Sequence, residues 1–178
     1  MQQDHLGAAV TPAEQLAFIQ RVAPWAQYSH AKYGVPASVT IAQAILESSD
    51  RQGNWGKSTL AAKYNNFFGI KDSRLFGDGY CELKTTEYVK LRPVEITARF
   101  ESFKDPQRSF EAHAQLLAQS PRYEAAMADA DDPFVFAARI RECGYSTDPD
   151  YAHKLASLIT KFHLRDFDAP AKPASQKA

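Results

Sequence analysis

The stretch Ile41-Ala42-Gln43-Ala44-Ile45-Leu46-Glu47-Ser48-Ser49 decides the fold around it, because it has the pattern of an apolar helix that ends in an acid. At about 100° per residue, one stripe of this helix is apolar and the opposite face carries Thr40, Gln43 and Glu47. The stripe consists of Ile41, Ala42, Ile45 and Leu46. We therefore expect a helix that is anchored in the core and presents the Glu47 carboxyl group.

Glycine, asparagine and aromatic residues follow this acid in two runs, Gly53-Asn54-Trp55-Gly56-Lys57-Ser58 and Asn65-Asn66-Phe67-Phe68-Gly69-Ile70-Lys71. A carboxyl group held over aromatic residues at the edge of a core is partly desolvated, which raises its pKa and suits it to general acid catalysis. An isolated helical glutamate is usually an ordinary solvated residue. The two neighbouring runs favour the catalytic interpretation of Glu47.

Five sequence blocks occur in a fixed order along the chain. They are Ala42-Gln43-Ala44-Ile45-Leu46-Glu47-Ser48, Trp55-Gly56-Lys57-Ser58, Asn66-Phe67-Phe68-Gly69-Ile70-Lys71, Thr85-Thr86-Glu87-Tyr88 and Gly144-Tyr145-Ser146-Thr147-Asp148-Pro149-Asp150-Tyr151. This series resembles the glucosaminidase family of bacterial cell-wall hydrolases, which includes the muramidase-like half of the flagellar rod-assembly protein. The resemblance spans about residues 14–163. It departs from the family between Ser48 and Trp55, where the family usually has a single glycine and this chain has residues 49–54.

The resemblance implies a fold and a set of site residues. The fold is α+β, mainly α, with a lysozyme-like helical lobe and a small antiparallel β lobe that form a substrate groove. Glu47 is the general acid, Glu87 activates water or stabilises the transition state, and Tyr145 orients the substrate. The substrate-binding residues are Trp55, Asn66, Phe68, Gly69, Tyr123 and Tyr151, since aromatic faces and amides suit sugar rings. Glu82, Glu95 and Glu101 are weaker candidates for the second acid.

Composition sets limits on partners. The 178 residues are 44% hydrophobic and 12% aromatic, which fits one domain with a real core. Lys plus Arg equals Asp plus Glu at 21 each, so we expect no nucleic-acid partner. No apolar run approaches the ~20 residues that span a bilayer, and the segment Met1-Gln2-Gln3-Asp4-His5 lacks the basic flank and apolar core typical of a signal peptide. We expect a monomer without membrane insertion that acts on peptidoglycan glycan strands in the periplasm, at the cell wall or after secretion.

Metal and cofactor sites are not indicated. Cys81 and Cys143 lack the spacing of zinc or redox motifs, and the five histidines form no paired ligand spacing. We expect neither a catalytic metal nor a cofactor. A disulfide would need Cα atoms within ~7 Å, which the sequence does not establish, so two buried free thiols are the favoured alternative.

Helix signals place most elements. Thr11-Pro12-Ala13-Glu14 is a capping box that predicts a helix running towards Gly34 with a kink at Pro24. Three Asp-Pro pairs predict capped helix starts, at Asp105-Pro106, Asp132-Pro133 and Asp148-Pro149.

Strand signals and composition give the remaining boundaries. Alternation from Val94 to Glu101 predicts a half-buried strand, with Cys81 to Val89 as its antiparallel partner. Residue parity places Glu87 on the strand face of Cys81 and Leu83. We predict a flexible segment at 1–10, the glucosaminidase domain at 11–166 with its β lobe at about 72–103, and a disordered tail at 167–178.

The predicted activity is that of an endo-β-N-acetylglucosaminidase that cleaves on the reducing side of N-acetylglucosamine. Two alternatives stay open. A lytic transglycosylase or N-acetylmuramidase would use the same fold and a single helical acid, and a non-catalytic wall-binding or assembly module would keep the fold alone.

Overall fold

The computed structural model describes residues 10–89 and 92–169, and the side chains of residues 86–93 lie outside this description. The α-helices of the described part are α1 (Pro12–Tyr33), α2 (Ala37–Ser48), α3 (Thr59–Tyr64), α4 (Pro106–Gln119), α5 (Glu124–Met127), α6 (Pro133–Glu142) and α7 (Tyr151–Lys161). The strands are β1 (Gly79–Val89) and β2 (Arg92–Ser102), and short 3₁₀ helices cover Pro121–Tyr123 and Leu164–Phe167. The predicted mainly helical α+β composition with one small antiparallel sheet is confirmed.

The predicted capping residues are confirmed at three of four helix starts. The Thr11 amide donates to the Glu14 carboxylate at 2.8 Å and the Glu14 amide donates to the Thr11 hydroxyl at 3.3 Å, which closes the capping box of α1. Helix α1 continues through Pro24. Asp105 accepts the Arg108 amide at 3.0 Å, and Asp132 accepts the Phe134 amide at 2.9 Å.

The fourth predicted cap is wrong, because α7 begins two residues beyond the Asp-Pro pair. The carboxylate of Asp148 accepts the Asp150 amide at 2.9 Å and pairs with Lys154 at 2.6 Å, so it stabilises the turn that precedes the helix. Asp150 occupies the N-cap position of α7.

Helix α2 is buried on all sides over most of its length, which corrects the predicted two-faced pattern. Thr40 and Gln43, assigned from the sequence to the exposed face, are fully buried. Each has an internal partner: the Thr40 hydroxyl donates to the Pro36 carbonyl at 3.1 Å and the Gln43 amide donates to the Tyr151 hydroxyl at 3.1 Å. These hydrogen bonds offset part of the penalty for burying the two side chains, although Gln43 Oε1 is buried without a partner among the described residues. Exposure returns only at Glu47.

The hairpin pairs as predicted. Strands β1 and β2 are antiparallel, with Gly79 opposite Ser102 and Val89 opposite Arg92. One face carries Cys81, Ala98 and Phe100, which pack against partly buried hydrophobic side chains at Leu60, Tyr64, Leu83 and Ile96. The predicted alternation fails at both ends of β2, because Val94 is exposed and Glu101 is buried.

The chain divides into two compact units. The first holds the described residues up to Phe18 together with Ala44–Ala112, and the second holds Ile19–Gln43 with the described residues from His113 onwards. In the first, Phe67 and Phe68 pack against Phe110, with ring centroids 5.5 and 4.9 Å away. The unit that contains the hairpin is therefore larger than the predicted β lobe, because helical segments cluster with it. The domain boundaries proposed from the sequence stay predictions.

Two details of the sequence interpretation change. Cys81 and Cys143 are free, but only Cys81 is buried, and burial raises the pKa of its thiol. Asp168, assigned to the tail, accepts hydrogen bonds from the Ser38 amide at 2.8 Å and the Ser38 hydroxyl at 2.6 Å in the first turn of α2. Predictions for residues 1–9 and 170–178 fall outside the described residues. None of the helices in the described ranges has the length and apolar character of a membrane span.

Candidate active site

Glu47 lies in the last turn of α2 and is exposed. The partial burial expected from its aromatic neighbours is therefore absent. The helix leaves the core at this point, since Ile45 is buried, Leu46 is half-buried and the turn at 51–52 is exposed. The anchored helix nevertheless presents a carboxyl group to solvent, as the sequence predicts.

The next residue, Ser48, ties the following loop to the helix end. Its buried hydroxyl donates to the Ala44 carbonyl and accepts the Gly56 amide at 3.0 Å, while its carbonyl accepts the Ser58 amide at 2.9 Å. The bonds from the Gly56 and Ser58 amides hold residues 56–58 against the helical turn that carries Glu47. Sequence reasoning noted Ser48 only as part of a motif, and its pairing with Gly56 has no local signal.

The extra residues between Ser48 and Trp55 form a closed turn. The Asp50 carboxylate accepts the amides of Gln52 and Asn54 at 2.9 and 2.8 Å and the Asn54 side chain at 2.9 Å. These hydrogen bonds, chiefly those from Asn54, hold the pKa of Asp50 below its usual range. Gly53 supplies a φ of +83°, which suits glycine. The insertion is thus an ordered structure beside Glu47.

The predicted sugar-binding residues of this unit have different environments. The Trp55 ring is half-buried and meets Phe18 edge to face at 5.8 Å. Phe68 is buried, whereas Gly69 is half-buried with a φ of +63°, and among the described residues other than its chain neighbours no atom lies within 4 Å of the point that a Cβ atom would occupy there. Trp55 and Gly69 are therefore the more accessible of the three.

Asn66 is buried and its side chain is occupied within the chain. Its Nδ2 donates to the carbonyls of Ile70 and Glu101, both at 2.9 Å, and its Oδ1 accepts the Ile70 amide at 3.0 Å. Asn66 thereby ties residues 66–70 to β2. Its direct contact with substrate stays a prediction, and its observed contacts give it a supporting role.

Glu87 lies on β1, where the Cα register pairs it with Val94. Its side chain falls outside the described residues. The competing acids all have protein partners: Glu82 bonds Arg99 at 2.9 Å, Glu95 pairs with Lys84 at 2.8 Å, and Glu101 accepts the Ser73 hydroxyl at 2.9 Å.

Tyr145 lies in the second unit within an aromatic cluster. Its half-buried ring stacks on Tyr151 at 5.7 Å and contacts Tyr123 at 6.2 Å and His113 at 5.9 Å. Tyr123 and Tyr151 are buried, and burial raises the pKa of Tyr123. Complete burial of His113 lowers its pKa to about 3, which keeps the imidazole neutral.

Arg122 fixes the backbone that leads into Tyr145. Its Nε donates to the Cys143 carbonyl at 2.6 Å and its guanidinium also donates to the Gly144 carbonyl. Gly144 has a φ of +79°, where other residues are strained. Sequence reasoning missed Arg122, because a lone arginine 21 residues from its partner gives no recognisable spacing. Within residues 10–89 and 92–169, no cluster of three or more His, Cys, Asp or Glu side chains could hold a metal ion.

Comparisons of the sequence with known proteins identify a family. The sequence model of the glucosaminidase family, described as mannosyl-glycoprotein endo-beta-N-acetylglucosaminidase, matches residues 23–164. The chain is similar to the exo-glucosaminidase LytG of Bacillus subtilis (strain 168), with 36% identity over 160 residues that cover 87% of this chain and 54% of the relative. It is similar to the peptidoglycan hydrolase FlgJ of Vibrio parahaemolyticus, with 32% identity over 148 residues, 82% of this chain and 46% of the relative. The chain thus spans about half the length of these relatives.

The fold has a close counterpart among crystal structures. The catalytic domain of the autolysin Auto from Listeria monocytogenes superposes with a TM-score of 0.76 at 32% identity, covering 91% of this chain and 92% of that domain. The lysozyme-like fold class predicted from the sequence is confirmed by this match. On the extent of the sequence match and the agreement in fold, the chain belongs to the glucosaminidase family of glycoside hydrolases.

Proposed function

We propose that this chain hydrolyses the glycan of peptidoglycan as an endo-β-N-acetylglucosaminidase, cleaving on the reducing side of N-acetylglucosamine. The observation that carries the proposal is Glu47, an exposed carboxyl group at the end of a buried helix. Relatives named as a glucosaminidase and as peptidoglycan hydrolases support the substrate class.

Glu47 acts as the general acid. Its helix is held in the core and the following loop is bonded to Ser48, so the backbone that carries the Glu47 side chain is fixed before substrate arrives. A sugar ring that covers the exposed carboxyl group would exclude water and favour its protonated form. The proton then passes to the departing glycosidic oxygen.

Glu87 and Tyr145 complete the proposed chemistry. Glycoside hydrolysis needs a second group that activates water, attacks the sugar or stabilises the oxocarbenium-like transition state. Glu87 takes this role because it is the acid of the Thr85-Thr86-Glu87-Tyr88 block, which resembles a block of the family. Tyr145 orients the substrate, with Tyr151 stacked against its ring.

Substrate contacts divide into direct and supporting residues. Trp55 and Gly69 are half-buried and suit direct contact with the sugar, since an aromatic face and an open backbone can approach a ring. Asn66, Phe68, Tyr123 and Tyr151 are buried and hold the direct contacts in position.

Mass spectrometry of a digest of purified peptidoglycan tests the proposal. We expect products with a reducing N-acetylglucosamine end, released internally from long strands. A 1,6-anhydromuramic end would identify a lytic transglycosylase, and a reducing N-acetylmuramic end would identify a muramidase. Release of single sugars from strand ends alone would make the chain exo-acting, as the name of the Bacillus relative says.

A turbidity assay on the same purified walls tests whether the chain is catalytic at all. A wall suspension whose turbidity does not fall would favour a non-catalytic wall-binding module. We also propose that the chain acts as a monomer at the cell wall, in the periplasm or outside the cell, which size-exclusion chromatography and fractionation of cells would test.

A further inference from the structure

A cavity of about 350 Å³ lies at the base of the hairpin, within the first unit. We call residues 72–79 the cavity loop. The loop leaves the edge of β2, where the Asp72 amide donates to the Arg99 carbonyl at 3.1 Å, and returns where the Asp78 amide donates to the Ser102 carbonyl at 2.9 Å. The cavity lining consists of Asp72, Arg74, Gly77, Asp78, Gly79, Tyr80, Arg99 and Glu101. None of these belongs to the catalytic or substrate-binding set proposed above.

Glu101 is the feature that needs an explanation. It is only 1% exposed, and its Oε1 accepts both the amide and the hydroxyl of Ser73, at 3.0 and 2.9 Å. Among residues 10–89 and 92–169, no donor pairs with the other oxygen, Oε2, and no cation forms an ion pair with the carboxylate. Oε2 is not fully buried, so this acceptor faces the cavity without a donor from the described residues. This arrangement suits a ligand that brings its own O–H or N–H donor.

The backbone around Glu101 keeps this oxygen accessible. A Cβ atom at Gly77 would collide with Oε2 and would lie 3.0 Å from the Gly79 carbonyl. Gly77 does not have a positive φ, so glycine is required there because a side chain would clash and not because of backbone strain. The missing side chain leaves room beside the carboxylate.

The other lining groups indicate a neutral, hydroxylated ligand. The Arg99 guanidinium is bonded to Glu82 at 2.9 Å and lies 4.1 Å from the centre of the half-exposed Tyr80 ring. An anion would face three carboxylates, and an ammonium ion would face the guanidinium groups of Arg74 and Arg99. A sugar can donate hydroxyls to Glu101, accept from arginine and pack a ring face near tyrosine. The volume is at the small end of the about 300–1,000 Å³ of ligand sites, which suits a single sugar unit.

We infer that this cavity binds one N-acetylglucosamine unit of a glycan strand, with Glu101 Oε2 accepting its hydroxyl or acetamido donors. The inference rests on the proposed function in taking the glycan as substrate. The acidic lining disfavours N-acetylmuramic acid, whose lactyl group adds a carbonyl or carboxylate acceptor.

Titration of ¹⁵N-labelled protein with free N-acetylglucosamine tests the inference, because the monosaccharide has no glycosidic bond to cleave. We expect the amide signals of Ser73, Gly77 and Gly79 to shift and saturate. In Glu101→Gln, the new side chain can still accept from Ser73 but turns an NH₂ group towards the cavity, so the affinity should fall about tenfold or more. Tyr80→Ala should also weaken binding, and Gly77→Ala should abolish it.

Matched controls separate the cavity from general effects. Glu95→Gln makes the same chemical change on the same strand at an exposed, paired position, and it should leave the cavity signals and their titration unchanged. Should Glu101→Gln fail to fold, Tyr80→Ala still tests the site, because Tyr80 is half-exposed.

Three results would overturn the inference: no shift at the cavity loop, equal affinity in Glu101→Gln and wild type, or a response to L-lysine in place of N-acetylglucosamine. The last would identify an ammonium site. A turbidity assay in parallel keeps the two proposals apart. If wild-type protein shows the amide shifts with N-acetylglucosamine but does not clear walls, the proposed function is wrong and the cavity inference stands. If it clears walls but shows no amide shifts, the cavity inference is wrong and the proposed function stands.

Discussion

Glu47 stands where a buried helix meets an exposed turn, and the proposed chemistry depends on its proton. Glu47→Gln is nearly isosteric at an exposed position, so the fold should persist while glycan cleavage falls by about 10²–10⁴-fold. The assay is turbidity loss of purified walls, with circular dichroism as the check on folding. Glu142→Gln is a matched control, since Glu142 is an exposed acid that ends α6, and it should keep full activity. Residual activity of Glu47→Gln above about a tenth of wild type would remove Glu47 from the mechanism.

The second acid can be assigned by comparing two positions of the hairpin. Glu87→Gln should reduce turnover strongly if Glu87 activates water, whereas Glu95→Gln removes only an exposed ion pair with Lys84, which typically contributes about 0–1 kcal/mol. Tyr145→Phe should lower turnover less than Glu87→Gln, because its ring contacts remain. Initial rates on wall fragments, with melting curves, give the comparison. An inactive Glu95→Gln beside a fully active Glu87→Gln would show that Glu95 is the second acid.

At the scale of elements, α2 is capped by a residue from the far end of the described chain. Asp168 accepts from the amide and hydroxyl of Ser38, 130 residues away. Asp168→Ala should therefore destabilise the protein by about 0.5–2 kcal/mol, the usual effect of losing an N-cap acceptor. Urea unfolding measures this. A chain that ends at Ala169 keeps the cap and should match full-length protein, while one that ends at Phe167 should match Asp168→Ala. Equal stability of the two truncations would contradict the capping role.

The hydrogen bonds between Asp168 and Ser38 show which parts of the fold can be predicted from the sequence. Caps such as Thr11 and Asp132 act on amides two or three residues away, so local spacing predicts them. The polar residues of α2 do not behave this way. Gln43 is buried because Tyr151 supplies its partner from 108 residues away, and a helical wheel assigns it to solvent. Asp168 and Arg122 were missed for the same reason.

The candidate site divides along the same line. The acid Glu47 and the aromatic runs after it carry a local pattern, and the match to the family covers them. The sequence does not show which side chains of those runs already form hydrogen bonds or packing contacts within the chain. Asn66 has an amide suited to sugar recognition, but bonds to Ile70 and Glu101 use it. Glu101 appeared as one acid among several, and only its burial distinguishes it.

For the whole molecule, the buried His113 makes stability depend on pH. Its pKa is about 3 in the folded protein and about 6.5 in an unfolded chain, so the unfolded state binds the proton first as the pH falls. The contribution is fully present above about pH 6.5 and declines towards pH 3. Between pH 7 and pH 4 the loss should be roughly 3 kcal/mol. Urea midpoints of wild type and His113→Phe, measured at both pH values, separate the contribution of His113 from that of the carboxylates. If stability changes equally with pH in the two proteins, folded His113 accepts the proton and the prediction is wrong.

Stability should also differ between the hairpin and α2. The hairpin is supported by a few buried side chains, chiefly Cys81, Ala98 and Phe100, whereas α2 is buried on all sides from its first residue to Ile45. A two-stranded sheet buries little apolar area by itself and opens more easily than a helix in the core. We therefore predict that the amides of β1 and β2 exchange with deuterium faster than those of α2, and that a chitooligosaccharide slows them.

This difference matters for the mechanism, because Glu87 lies on β1 and Glu47 on α2. Carboxyl groups about 5–5.5 Å apart retain anomeric configuration and those about 6.5–9.5 Å apart invert it. If the hairpin orders on binding, only a sugar-bound structure gives the working separation of the two acids. Hydrogen exchange with and without chitotetraose, with Glu142→Gln as a folded reference, makes the test. Hairpin protection that already equals that of α2 and does not change with ligand would show that the hairpin is rigid before substrate binds.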